Sequence, residues 1–114
     1  MFNYVKKLQY PINIKHPDPK AAAIIISQYG GPNGELGASL RYLSQRYSMP
    51  YPELKGLLTD IGTEELGHLE MIGTIVHQLT RNLTEKQIEE SGFAPYFVDH
   101  TTGVYPTAAS GSPW

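Results

Sequence analysis

Residues 52–80 read PELKGLLTDIGTEELGHLEMIGTIVHQLT, and this segment decides the fold. Its apolar side chains recur at alternating spacings of four and three residues, as in a seam between packed helices. The seam consists of Leu54, Leu58, Ile61, Ile72, Ile75 and Leu79, with Glu65 and His68 in the two remaining positions. A helix of this length spans roughly 43 Å at about 1.5 Å per residue. We therefore predict one long helix over 52–80, in an all-α bundle.

Glu65 and His68 are the polar members of a seam that is otherwise leucine and isoleucine. An ionised carboxylate at a helix interface costs several kcal/mol unless a partner compensates its charge. Glutamate and histidine three residues apart share one helix face, so both can bind one metal centre. Glu64 is a competing carboxylate, but it lies about 100° around the helix and off the seam. A buried histidine that only hydrogen-bonds a neighbour is the open alternative for His68.

Glu35 is the candidate partner on a preceding helix, which we predict over residues 19–47. Small residues lie one turn to either side of Glu35 and would leave room for a metal cluster. Tyr42, two turns beyond, is either a core tyrosine or a hydrogen-bond donor to a ligating carboxylate. The alternative for Glu35 is a solvated carboxylate, as for most glutamates. The buried face of that helix would then be Leu36, Leu40 and Leu43.

Prolines and glycines mark where the first helix begins and where it is interrupted. Asp18 and Pro19 suit an N-cap and a first helical turn, so the residues before them are predicted as an extended arm. The run of glycines, proline and asparagine over 30–34 is by itself a turn signal inside the predicted helix.

The C-terminal part of the chain carries one further helix signal. Thr84 and Gln87 have the spacing of a capping box and predict a short helix over 84–91. Residues 92–114 show no helical period and are predicted as loop. The whole chain, 1–114, is predicted as a single domain.

Composition excludes several functions. With 9 Lys and Arg against 11 Asp and Glu, and no basic run, we expect no binding to nucleic acid or to an anionic membrane. The longest apolar run, residues 21–26, is too short to cross a bilayer, and the N-terminus lacks the apolar stretch of a secretory signal. Because the chain has no cysteine, a metal would be held by histidine and carboxylates, which suits manganese, iron or zinc.

Three stretches of the sequence resemble one known family. They are residues 29–36 (YGGPNGEL), 40–47 (LRYLSQRY) and 57–72 (LLTDIGTEELGHLEMI). Together with Asp99, His100 and the GVYP tail at 103–106, they are similar to the manganese catalases, and most of all to the spore-coat JC branch of endosporulating bacteria. The resemblance runs through the whole chain, and the block at 60–72 is specific to the family.

The resemblance implies a ferritin-like four-helix bundle and a site with two manganese ions that converts hydrogen peroxide to water and dioxygen. It implies that Glu35 is a terminal ligand of one metal, that Glu65 bridges both metals, and that His68 is a terminal nitrogen ligand. Tyr42 matches a tyrosine that lies behind the ligands. The family continues its first bundle helix through the glycines before the ligand glutamate, which favours a continuous or kinked helix over 19–47. Iron is also compatible with such ligands.

The predicted helix pair is half of the family's bundle, which needs two further long helices. Two divalent ions carry four positive charges, whereas Glu35 and Glu65 carry two negative ones. Either the chain is the N-terminal part of a longer protein, or two copies assemble the bundle. In both cases the exposed apolar seam predicts a homodimer or a higher homo-oligomer, and other spore-coat proteins are further candidate partners.

Three functions follow as expectations. The first is peroxide disproportionation, with Glu35, Glu65 and His68 as catalytic metal ligands. The second is a non-catalytic metal-binding or structural component of a spore coat or of a ferritin-like assembly. The third is a helical interaction module in which Glu65 and His68 are only a buried polar pair. The expected location is the cytoplasm or the spore coat.

Overall fold

The computed structural model describes residues 3, 5, 7–30 and 32–94, and every regular element among them is helical. The helices are α1 (Pro19–Ile25), α2 (Glu35–Gln45), α3 (Pro52–Thr80) and α4 (Glu85–Ser91). Short 3₁₀ turns, Ile26–Gln28 and Arg46–Ser48, follow α1 and α2. The loop predicted over 92–114 lies outside the described residues from position 95 onward, as do Asp99 and His100.

Helix α3 has the same bounds as the helix predicted from the seam. Pro52 occupies its first turn, where a missing N–H removes no helical hydrogen bond. The seam is covered unevenly: Leu79 near the C-terminal end is buried, whereas Leu54 near the N-terminal end is 38% exposed. Although α3 is as long as a bilayer span, none of the described helices combines the length and the hydropathy needed to cross a membrane.

The hydrophobic core lies where α1 packs on the C-terminal part of α3. Its buried members are Ala22, Ile26, Val76, Leu79 and Phe93. Helix α4 begins at the predicted capping box, in which Thr84 and Gln87 exchange hydrogen bonds between side chain and backbone. Gly92 caps its C-terminal end, with a φ of +79° that glycine adopts without strain. This turn directs the chain back so that Phe93 enters the core.

The N-terminal arm is docked along α3 by side chains of the helix. The amide of Gln78 accepts a hydrogen bond from the Ile14 N–H at 2.7 Å and donates one to the Ile12 carbonyl at 3.0 Å. Arg81 donates to the Ile14 carbonyl. These bonds satisfy backbone groups that an extended segment would otherwise leave unpaired, so the arm is part of the folded unit.

Replacing Gln78 with alanine should loosen this arm. The change leaves two backbone groups of the arm without a protein partner, so we expect the free energy of unfolding to fall by about 1–2 kcal/mol. Amide exchange at Ile14 should become faster. Gln45→Ala is the matched control, because the Gln45 side chain is exposed and its loss should change stability by less than about 0.5 kcal/mol. Unchanged exchange at Ile14 in the Gln78 variant would show that other contacts hold the arm.

The structure departs from the single helix predicted over 19–47. Helix α1 ends at Ile25, and α2 begins only at Glu35. The N–H of Leu36 donates to the Tyr29 carbonyl at 3.4 Å, across seven residues instead of the four of an α-helix. Gly34 approaches Gly30 so closely that a Cβ on Gly34 would lie 2.4 Å from the Gly30 oxygen. The glycines therefore form a turn, as their local signal indicates, and not the continuous or kinked helix that the resemblance favours.

Candidate metal centre

Helices α2 and α3 cross closely beside the predicted ligands. The hydroxyl of Ser39 donates to the Gly62 carbonyl at 2.7 Å, and both residues are buried. A Cβ on Gly62 would lie 2.7 Å from Cγ of Leu43, so only glycine allows this approach. Ser39 lies one turn after Glu35 on α2. Gly62 lies one turn before Glu65 on α3, so the crossing holds the two carboxylates opposite each other.

Glu35, Glu65 and His68 form one cluster. One potential ligand atom from each residue lies within 4.8 Å of the others. The Nδ1 atom of His68 lies 2.9 Å from Oε2 of Glu65 and 3.6 Å from Oε2 of Glu35. The exposed fraction of the side chain is 12% for Glu65, 27% for Glu35 and 34% for His68. The structure therefore brings together, from two helices, the three side chains that the sequence analysis selected as ligands.

The structure gives less support to the two alternatives, a solvated Glu35 and Glu64 as the ligand in place of Glu65. Leu40, which the solvated-glutamate alternative places in a buried face, is 62% exposed. Glu64 is exposed and accepts a hydrogen bond from Nε2 of Gln9 at 2.6 Å. Tyr42 is half-buried, and no hydrogen bond among the described residues joins its hydroxyl to the cluster. The role of Tyr42 behind the ligands stays a prediction.

The electrostatics of the cluster favour a bound cation. The pKa of Glu35 is raised to about 7, because its protonated form shares a hydrogen bond with Glu65, and because burial and the Glu65 charge disfavour a second anion. The same hydrogen bond, assisted by His68, lowers the pKa of Glu65 against the effect of burial. Burial opposes the imidazolium of His68, yet the carboxylates around it raise the pKa of His68 overall. Without a metal, protons on Glu35 and His68 compensate the negative charge of the cluster.

The donor set and its spacing fit a divalent transition metal. Bonds from a metal to nitrogen or oxygen are about 2.0–2.2 Å long, so adjacent ligand atoms at a right angle lie about 3 Å apart. His68 Nδ1 and Glu65 Oε2 share a hydrogen bond of 2.9 Å, so the two atoms are already at a separation compatible with binding one ion. Imidazole and carboxylate ligands suit manganese, iron and zinc. A complete ferritin-like dimetal site uses two single glutamates and two Glu-x-x-His pairs, and these helices provide one of each.

Metal affinity should increase with pH between about 6 and 8. The metal must displace the proton that Glu35 holds below its pKa of about 7, and any proton on His68. Below that pKa the proton competes with the metal, and above it the carboxylate is free. Calorimetric titration with Mn²⁺ in buffers of different ionisation enthalpy should show tighter binding and less proton release as pH rises. Affinity that is constant over this range would contradict the assignment of Glu35 as a ligand.

A helical pair that presents Glu35 on one helix and a Glu-x-x-His motif on the next is a ferritin-like arrangement whose three side chains could hold a metal ion. The family model described as manganese containing catalase matches residues 1–114. The chain belongs to the manganese catalase family, and the resemblance seen in the sequence is confirmed.

Relatives and solved structures agree with this assignment. Protein CotJC of Bacillus subtilis (strain 168) is 48% identical over 114 residues, which cover 100% of this chain and 60% of that protein. The manganese catalase of Bacillus subtilis is 32% identical and is covered to 46% by this chain. The crystal structure of wild-type KatB, a manganese catalase from Anabaena, matches with a TM-score of 0.80 and 31% identity, over 100% of this chain and 51% of that one. The chain thus spans about half the length of these relatives.

Two contacts around the cluster were not predicted from the sequence. Gly62 carries a recognisable signal, since an isolated glycine inside a helical pattern often marks close packing. The bond between Gln9 and Glu64 joins residues 55 positions apart, and no local pattern indicates it. It fixes Glu64 toward the arm and leaves Glu65 as the α3 carboxylate of the cluster.

Proposed function

We propose that this chain contributes to a manganese-catalase-type dimetal centre that disproportionates hydrogen peroxide to water and dioxygen. The observation that carries the proposal is the cluster of Glu35, Glu65 and His68, formed by two helices of a chain in this family. Manganese, when bound, would supply the redox chemistry, with iron as the metal that the same ligands also accept.

The arrangement within the cluster supports a different role for each side chain. Glu65 is the least exposed of the three and interacts with both of the others, which suits a carboxylate that bridges two ions. Glu35 and His68, whose Oε2 and Nδ1 atoms lie 3.6 Å apart, suit terminal ligands.

Oxygen release tests this proposal. The chain is saturated with Mn²⁺, freed of unbound metal, and supplied with hydrogen peroxide in an oxygen-electrode cell. We expect dioxygen at half the molar amount of peroxide consumed, with a rate proportional to bound manganese. His68→Ala should bind less metal and lose activity in proportion. A metal-filled sample that releases no dioxygen would contradict the catalytic proposal and leave metal binding standing.

The similarity to CotJC supports one alternative, a metal-binding or structural component without catalase activity. The chain is 48% identical to CotJC over 114 residues, which cover 60% of that protein. In this alternative the chain resides in the spore coat, as part of a homo-oligomer or with other coat proteins. Oxidation of bound iron without peroxide turnover would favour the alternative over catalysis.

A further inference from the structure

A carboxylate next to the cluster is held by the N-terminal arm. Glu64 accepts a hydrogen bond on its Oε1 atom from Nε2 of Gln9 at 2.6 Å. The Oε1 atom of the same glutamine lies over Gly67, since a Cβ added to Gly67 would be 3.4 Å from it. The Gln9 side chain therefore lies along the turn of α3 that leads from Glu64 to His68.

Glu64 and Glu65 are both within reach of the same imidazole. Glu64 precedes His68 by four residues and Glu65 precedes it by three, and both spacings make neighbours on a helix surface. Long side chains of a helix point back toward its N-terminus, so the His68 ring lies over the turn that carries the two carboxylates. Nδ1 of His68 lies 2.9 Å from Glu65, whereas Glu64 is turned to Gln9. The partner of His68 thus depends on what holds Glu64.

We propose that Gln9 is a positioning residue of the metal centre, which keeps Glu64 on the arm and so leaves His68 turned toward Glu65. The inference rests on the proposed metal-binding function. Without Gln9, Glu64 is free to accept a hydrogen bond from His68, and an imidazole held by Glu64 is withdrawn from the cluster until a metal draws it back. The apparent affinity for metal then falls with the fraction of chains in which the imidazole is in place.

The size of the effect is limited to that of one exposed hydrogen bond. Gln9 and Glu64 are both exposed, and the net value of a hydrogen bond corresponds to a factor of about 2–10 in an equilibrium constant. We therefore expect Gln9→Ala to weaken Mn²⁺ binding about 2- to 10-fold. Tyr10→Ala is the matched control on the arm, because Tyr10 is the next residue and is 64% exposed. It should change the affinity by less than about twofold.

Two substitutions of long side chains at position 9 separate positioning from overall charge. Gln9→Lys keeps a hydrogen-bond donor for Glu64 and should bind Mn²⁺ within about twofold of the parent chain. Gln9→Glu removes the donor and repels Glu64, so it should weaken binding at least as much as Gln9→Ala does. Overall charge predicts the opposite order, since an added carboxylate attracts a cation and an added ammonium group repels it.

An exchange of the two side chains is the rescue experiment. Gln9→Glu combined with Glu64→Gln again places an amide donor opposite a carboxylate acceptor, and it leaves the net charge of the chain unchanged. We expect this double variant to recover the affinity of the parent chain. Loss of packing by the arm would not be repaired by the exchange.

Calorimetric titration of the full 114-residue chain with Mn²⁺ measures these affinities, and circular dichroism checks the helices of each variant. Nuclear Overhauser contacts of the His68 ring in the metal-free chain give a readout that needs neither metal nor activity. His68→Ala assigns the ring signals. In Gln9→Glu the ring contacts should shift from Glu65 toward Glu64, and the exchanged pair should return them to Glu65.

The other outcomes are decisive. Tighter binding in Gln9→Glu than in Gln9→Lys would overturn the inference, and so would an exchanged pair as weak as Gln9→Glu alone. Ring contacts that stay with Glu65 in Gln9→Glu would overturn it without any metal. A parent chain that binds no Mn²⁺ would overturn the proposed function instead, while the ring contacts still decide the role of Gln9.

Discussion

Replacing Glu65 with glutamine is expected to lower the affinity for Mn²⁺ by more than about 100-fold, since loss of a residue that only supports a ligand already costs roughly 10–100-fold. Glutamine keeps the size of the side chain and removes its charge. Glu65 is the least exposed carboxylate of the cluster and lies 2.9 Å from His68 Nδ1, so solvent screens the lost charge the least. Isothermal titration with Mn²⁺ measures the loss, and circular dichroism checks that the helices persist.

Glu64→Gln is the control for this prediction. It makes the same change of charge one residue away, on a side chain that faces Gln9 of the arm. We expect Mn²⁺ affinity to change by less than about tenfold, because the altered charge is exposed and screened by solvent. Equal losses of affinity in both variants would show that the overall negative charge of α3 attracts the metal. They would contradict binding by the cluster of Glu35, Glu65 and His68.

Gly62→Ala should destabilise the chain by about 1–3 kcal/mol and weaken metal binding at the same time. The new methyl group would lie 2.7 Å from Cγ of Leu43 and 3.2 Å from its backbone nitrogen, so α2 must move away from α3. That movement lengthens the bond from Ser39 to Gly62 and separates Glu35 from Glu65. For a domain of this size each kcal/mol lowers Tm by about 4–8 °C, which thermal denaturation resolves.

Gly56→Ala provides the matched control on the same helix. A Cβ at Gly56 would meet nothing within 4 Å, so alanine adds no overlap there. Because alanine restricts the unfolded chain and favours a helix, we expect a gain of about 0.4–1 kcal/mol and unchanged metal binding. Equal stability changes at the two glycines would contradict the close crossing at Gly62.

Local rules accounted for both ends of α3, for the start of α1 and for α4. The four-and-three spacing along 52–80 predicted the bounds of α3, since packing of one face requires that periodicity. Asp18 accepts a hydrogen bond from the Ala21 N–H, and Thr84 forms its capping box with Gln87. Each of these signals involves residues within one helical turn, so a sequence pattern contains all the partners.

The turn before α2 shows where two kinds of sequence argument disagree. Its glycines and proline indicate a break, whereas resemblance to the family favours a continuous or kinked helix over 19–47. The structure follows the local chemistry: Gly34 packs against Gly30, and α2 begins anew at Glu35. The two backbone segments can approach this closely only because glycine has no side chain, and the glycines are visible in the sequence.

The sequence by itself determined a long amphipathic helix, the inward register of Glu65 and His68, and the family. Only the tertiary structure decided that Glu35 meets them, that Glu64 turns to the arm, and that Gln78 docks the arm on α3. The physical reason is distance along the chain. Periodicity reports which face of one helix is buried, whereas a metal cluster depends on which faces of two helices meet. Here the two faces are held together where Ser39 of α2 donates a hydrogen bond to the Gly62 carbonyl of α3, at a position where a side chain would not fit.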